Sequence, residues 1–212
     1  FPTLLSSDLE ILLAGVMVLL VIAPPLVFDG VALTLAWAAL LLIAAAVNRI
    51  VALQAARIAC ALLAGMVGIR LVLNPLVLDY ATSLGAWWNS LLAAYLGSIA
   101  ALALASKLLR LRSASAGIRK EWEAGIEEML EAVAIAVALV FLGLLTHLAF
   151  HPGHLDERSA GVMERGVYGI VWLTAGFALL AMGTRWRRGM ISSWGYLTIG
   201  VAALEVLIVQ GL

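Results

Sequence analysis

The stretch "IEEMLEAVAIAVALVFLGLLTHLAF", Ile126 to Phe150, decides what kind of chain this is. Between Glu131 and His147 no side chain carries a charge, and no polar stripe of helical period interrupts the Ala, Val and Leu. A helix apolar on every side belongs in hydrocarbon, because in water most of that surface would be unfavourably wetted. Crossing a bilayer core of about 30 Å takes roughly 20 such residues. This run is long enough.

Working outward, the same template fits along the whole chain, at 9–27, 31–47, 51–73, 87–106, 126–150, 162–182 and 194–210. Ser7 and Glu10 form a capping-box pattern ahead of the first span. Pro24 and Pro25 disturb its last turn, since proline cannot continue the helical ladder. Asn74-Pro75 closes the third span and His151-Pro152-Gly153 the fifth. No run of period two predicts a strand, and no segment leaves room for a soluble domain. The expected fold is all-α: one polytopic helical membrane bundle of about seven transmembrane helices over residues 1–212.

Composition agrees. The chain is 64% hydrophobic and 12% charged, with a mean hydropathy of +1.08, whereas about a quarter of the residues in a soluble domain are charged. The formal net charge is zero, so no global basic field exists to attract nucleic acid. The expected partner is the lipid bilayer itself, with other membrane or periplasmic subunits permitted. A single cysteine, Cys60, excludes an intrachain disulfide, a CxxC redox motif and a zinc ribbon, and no cofactor is expected. The chain opens on Phe1 and not on methionine, as a processed or partial piece of something longer would.

Charge sets the orientation by its position. Lys107, Arg110, Arg112, Arg119 and Lys120 follow the fourth span, Arg185, Arg187 and Arg188 follow the sixth, and Arg49 follows the second. These ends share one side, and the excess of Lys and Arg makes it cytoplasmic. The alternate connections hold Asp29, Asp79, Asp156 and Glu157, with Arg158 and Arg165 as the exceptions. The reading is amino terminus inside, carboxyl terminus outside, with Trp87 and Trp88 at the outer boundary and Trp122, Trp186 and Trp194 at the inner one.

Ionisable groups within spans are costly and tend to face a cavity or one another. Glu127, Glu128 and Glu131 at the inner mouth of the fifth span read either as a cation entrance or as an interfacial first turn that favours acids. Arg57 is placed to snorkel. Arg70 lies in the outer leaflet, where it either snorkels or pairs with an acid, and Glu205 is the acid expected to be paired or protonated. The orientation sets Arg70, Asn74, Asp79, Tyr80, Asn89, Tyr95, His147, His151, His154, Glu164, Arg165 and Tyr168 in one outer layer. Of these, Arg70, Asn74, Asn89, Tyr95, His147, His151 and Tyr168, together with Glu205, make the candidate ligand-binding cluster.

The three histidines of the chain fall between positions 147 and 154. His147 and His151 have the i, i+4 spacing that lets two imidazoles share a metal, but Pro152 disfavours a helical His151 and the glutamate of HExxH is missing. No metal site is expected, and His151 and His154 are expected to be solvated.

Several stretches resemble a known family: "IRLVLNP" at Ile69–Pro75, "WWNSLLAAYLGSIAALALASKLLR" at Trp87–Arg110, and the pieces from "THLAFHPGHL" to "ERGVYGIVWLTAGFALLAMG" at Thr146–Gly183. They are similar to the large multi-spanning bacterial membrane proteins of domain-of-unknown-function family 2339, as is the terminal "YLTIGVAALEVLIVQ". The resemblance implies that Arg70, Asn74, Pro75, Asn89, Tyr95, His147 or His151, and Tyr168 are characteristic positions. It also implies a bacterial inner-membrane location and a carboxyl-terminal portion of a longer protein. The family's basic and acidic positions in its last helix are Glu205 and Gln210 here. It supplies no established activity.

Two functions fit these observations. One is a structural or accessory subunit of a membrane or envelope complex, held by helix packing at small residues such as Gly65, Gly68, Gly143 and Gly166. The alternative is a transporter or an outer-face lipid- or glycan-modifying enzyme working through the cluster around Arg70 and His147. An arginine to hold an anionic headgroup and a histidine as general base would suit that role.

Overall fold

In the computed structural model the described residues are 12, 15, 16, 18–50, 54–73, 86–115, 121–151 and 161–211. Among them every regular element is an α-helix: α1 Pro24–Val27, α2 Gly30–Ile50, α3 Gln54–Leu73, α4 Ala86–Ser115, α5 Glu121–Phe150, α6 Val162–Trp186 and α7 Gly189–Gly211. Six of these, α2 to α7, are long and apolar enough to cross a membrane. The first expected span, 9–27, lies partly outside the described residues, and within it Val18–Val27 is a shorter apolar helix.

The helices outrun the apolar windows that predict them. α4 continues through Lys107, Arg110 and Arg112 to Ser115, and α5 begins at Glu121. Hydropathy marks where hydrocarbon ends, but Lys, Arg and Glu are good helix formers, so the backbone ladder need not stop there.

The chain divides into two compact units, with the boundary on α5 after Val137. In the first, α2 packs against α3 and α4. Its buried residues are Leu33, Thr34, Trp37, Ala38, Leu41, Ala44, Ala45 and Asn48, a seam at helical spacing made mostly of small or slender side chains. α4 presents a matching seam of Leu91, Ala94, Tyr95, Ser98, Ala101, Leu102 and Ala105. The large aliphatics Leu35, Ile43, Ile58, Leu62, Ile69, Leu96 and Leu104 point outward. That inversion of the water-soluble pattern follows from the solvent: lipid tails are as apolar as leucine, so close packing and not hydrophobicity selects the interface.

Arg110, Arg112, Glu127 and Glu131 of this unit gather at one end. Arg110 pairs with Glu131 at 2.7 Å and approaches the fully buried Glu127 at 4.0 Å. Ser106 Oγ donates to Glu131 Oε1 at 3.3 Å, and Arg112 Nη1 donates to the Arg49 carbonyl at 2.9 Å. Glu127 and Glu131 of the fifth span therefore join an ion-pair cluster, while Glu128 stays exposed. Arg57 is 6% exposed, so it is buried where snorkelling was expected.

In the second unit α6 and α7 form a tight helical hairpin. A methyl group on Gly195 would stand 2.8 Å from Leu180 N and 2.9 Å from the Gly176 carbonyl, and one on Gly176 would stand 2.6 Å from Ile199 Cγ1. The glycines are the reason the two backbones can come this close. The turn is closed by Arg187 at φ 51°, whose N–H donates to the Gly183 and Thr184 carbonyls.

Candidate functional site

Glu164 is the third residue of α6 and is 2% exposed. An acid in a first turn is favoured by the unsatisfied N–H groups there, as cationic side chains are favoured in a last turn. The last turn of α5 carries His147, and His151 follows directly after Phe150. The end of α5 and the start of α6 thus offer complementary charge, and Glu164 takes it up with both oxygens. Its Oε1 lies 3.0 Å from His147 Nδ1 and its Oε2 lies 2.9 Å from His151 Nε2. The two imidazoles stand with centroids 4.8 Å apart, tilted by 36°.

The helix ends at Phe150, as Pro152 predicts, yet the two histidines stay in register, and the expectation of a solvated His151 is corrected. His151 N–H donates to the His147 carbonyl at 2.9 Å, so the i, i+4 register reaches His151. Proline restricts the ψ of the residue before it, but it leaves that residue's own N–H able to close the last helical turn. Nor is His151 a solvated loop residue: its side chain is 19% exposed and bound to Glu164. His154 lies outside the described residues.

The rest of the predicted cluster divides between the two units. Tyr168, in the same unit as the triad, donates its hydroxyl to the Gly143 carbonyl at 3.3 Å. Glu205, on α7, is half-buried and forms no hydrogen bond or ion pair among the described residues. Arg70 belongs to the first unit, where its Nε donates to Thr34 Oγ1 and its Nη2 to the Gly30 carbonyl, both at 3.0 Å, beside the Trp37 ring. Arg70 thus engages a hydroxyl and a carbonyl of α2. Tyr95 donates to the Leu71 carbonyl at 2.8 Å. Asn74 lies outside the described residues, and Asn89 is described only as part of α4.

Glu164 is what reading the sequence left out of the cluster, although it placed that residue in the same layer. The available signal was a pair of histidines one turn apart at a helix end, followed by an acid in the first turn of the next helix. Chemically, a carboxylate gripping two imidazoles can fix their tautomers and orient the rings. His147, His151 and Glu164 are also the described residues able to hold a metal together.

The protein defined by this fold is an all-helical, multi-pass membrane protein with an ionisable triad at one helix boundary. Comparison with models of protein families, with curated proteins and with solved structures found no match.

Proposed function

We propose that this chain is an enzyme of a bacterial inner membrane that acts at the outer face on the polar headgroup of a lipid or lipid-linked glycan, with His147, His151 and Glu164 as its working groups. The observation that carries the reading is the burial of one carboxylate between two imidazoles at the end of apolar helices. Ionisable groups in such positions are functional by default. Helix-end dipoles favour each of these charges singly, but helix packing does not require that one carboxylate hold two imidazoles.

Depth favours an enzyme over a transporter. Glu164 is three residues into α6 and His147 four from the end of α5, which at 1.5 Å per residue is about 5 Å from either terminus. Headgroups lie at that level, whereas transporter sites cluster near the midplane at interrupted helices. A neutral imidazole there can act as general base toward a headgroup hydroxyl or water, with Glu164 holding the ring in position. The positive-inside pattern supports reading this end as the outer one. The resemblance to the family of larger membrane proteins makes further helices or envelope subunits the natural neighbours of the site.

The test is a comparison of envelope lipids and glycans by mass spectrometry in cells that lack the protein and cells in which it is restored. Deletion is expected to change one headgroup class, the unsubstituted protein to restore it, and Glu164→Gln at equal membrane abundance to fail. Full restoration by Glu164→Gln returns the protein to the structural class.

A further inference from the structure

We propose that His147, His151 and Glu164 bind a divalent metal ion of the zinc class and leave one coordination position open. The proposal rests on the reading of this triad as the working centre, and with an ion bound the base toward a headgroup would be a metal-bound water and not an imidazole.

The donor set is the first argument. Two imidazole nitrogens and a carboxylate oxygen are a set that zinc accepts as three protein ligands, with water or substrate at the fourth position. Magnesium and calcium prefer oxygen throughout and are poorly served by imidazole.

Geometry is the second. One donor atom from each of the three residues can be chosen so that no two lie more than 4.8 Å apart. Metal bonds of about 2.0–2.1 Å in a tetrahedral site set ligand atoms about 3.3 Å from one another. The separations of 3.0 Å from His147 Nδ1 to Oε1 and 2.9 Å from His151 Nε2 to Oε2 are each close to that value but run to different oxygens of Glu164, so an ion between the rings would be held by both oxygens, or by one after a side-chain shift within the 4.8 Å spread of the donors.

Charge is the third argument. Two neutral imidazoles can each donate one N–H, which satisfies the carboxylate's lone pairs but leaves its charge uncompensated. At 2% exposure such a charge is expensive to bury. Among the described residues Glu164 pairs with no lysine or arginine, only with the two histidines. A divalent ion supplies the missing positive charge and keeps both rings neutral.

The remaining nitrogen sets the strength. His147 Nε2 is buried and has no hydrogen-bond partner among the described residues. Metal-binding histidines usually anchor that second nitrogen, and losing such a partner typically costs about 10–100-fold in affinity. Half-saturation is therefore expected in the micromolar range and not at the far tighter level of closed structural sites.

The experiment uses the full chain in detergent micelles, stripped with chelator and then titrated with Zn²⁺ alone. One equivalent is expected, unaffected by excess Mg²⁺. Glu164→Gln keeps the shape of the side chain and removes its charge. It and His151→Gln should each weaken binding at least tenfold while helical content and elution volume stay unchanged. Co²⁺ should give the visible absorption of a four-coordinate site, and Glu164→Gln should abolish it. Absence of saturable uptake by the unsubstituted chain overturns the proposal, as does uptake unchanged in Glu164→Gln and in His151→Gln. Zinc binding without any lipid or glycan phenotype for Glu164→Gln sinks the enzyme reading and spares the metal; the reverse pattern sinks the metal and spares the enzyme.

Discussion

The Tyr95 hydroxyl donates to the carbonyl of Leu71, whose ordinary helical donor would be the N–H of residue 75. Position 75 is proline and has no N–H to give. Tyr95, 1% exposed on α4, supplies the missing donor from a neighbouring helix. Tyr95→Phe removes that donor and keeps the ring, so it should lower stability by about 1–2 kcal/mol, measured by denaturant titration of the protein in micelles. A loss below a few tenths of a kcal/mol would mean that the carbonyl has another donor. The proline was visible in the sequence; which side chain answers it was not, because Tyr95 and Leu71 are 24 apart. The same limit applied to Glu164, whose two partners lie 17 and 13 residues away. Local spacing showed the histidines as a pair but did not show the group that joins them.

At the scale of elements, small residues decide how closely helices approach. Gly195 faces Leu180 and Gly176 with backbone atoms inside van der Waals range of any added methyl, while a methyl on Gly200 would meet nothing within 4 Å. Gly195→Ala is therefore expected to destabilise the α6–α7 hairpin by about 1–3 kcal/mol. Gly200→Ala should be neutral or slightly stabilising, since alanine is the better helix former. Equal effects of the two in thermal unfolding would show that the hairpin is looser than these contacts imply. Of the glycines singled out from sequence, Gly68 does sit in close contact, with its missing methyl 2.8 Å from Val133 Cγ1, whereas Gly166 would meet nothing within 4 Å. Composition alone does not tell an interface glycine from a lipid-facing one, because the helices are apolar on every face. Helix existence was legible for the opposite reason: a long run of Ala, Leu and Val has few other ways to satisfy its backbone in hydrocarbon.

For the whole molecule, the basic ends of the helices predict the topology. The link from Arg112 to the Arg49 carbonyl joins two of those ends within the first unit, as the charge pattern requires. Cys60 is buried, so single new cysteines report cleanly on topology. Ser113→Cys should react with an impermeant maleimide only after the cells are opened, and Ser159→Cys in intact cells. The reverse pattern would invert the orientation and with it the outer-face assignment of the triad.

By itself the sequence determined that this chain is helical, that at least six of its helices are apolar enough to span a membrane, and which helix ends are basic. These properties are set by hydrophobicity and charge within a single segment. Only the tertiary structure decided that Arg70 turns to Thr34 and Gly30, that Arg110 gathers Glu131 and Glu127, and that Glu164 closes on His147 and His151. Each of those choices depends on which polar groups two packed helices bring within about 3 Å, and a buried polar group binds whatever partner the packing presents.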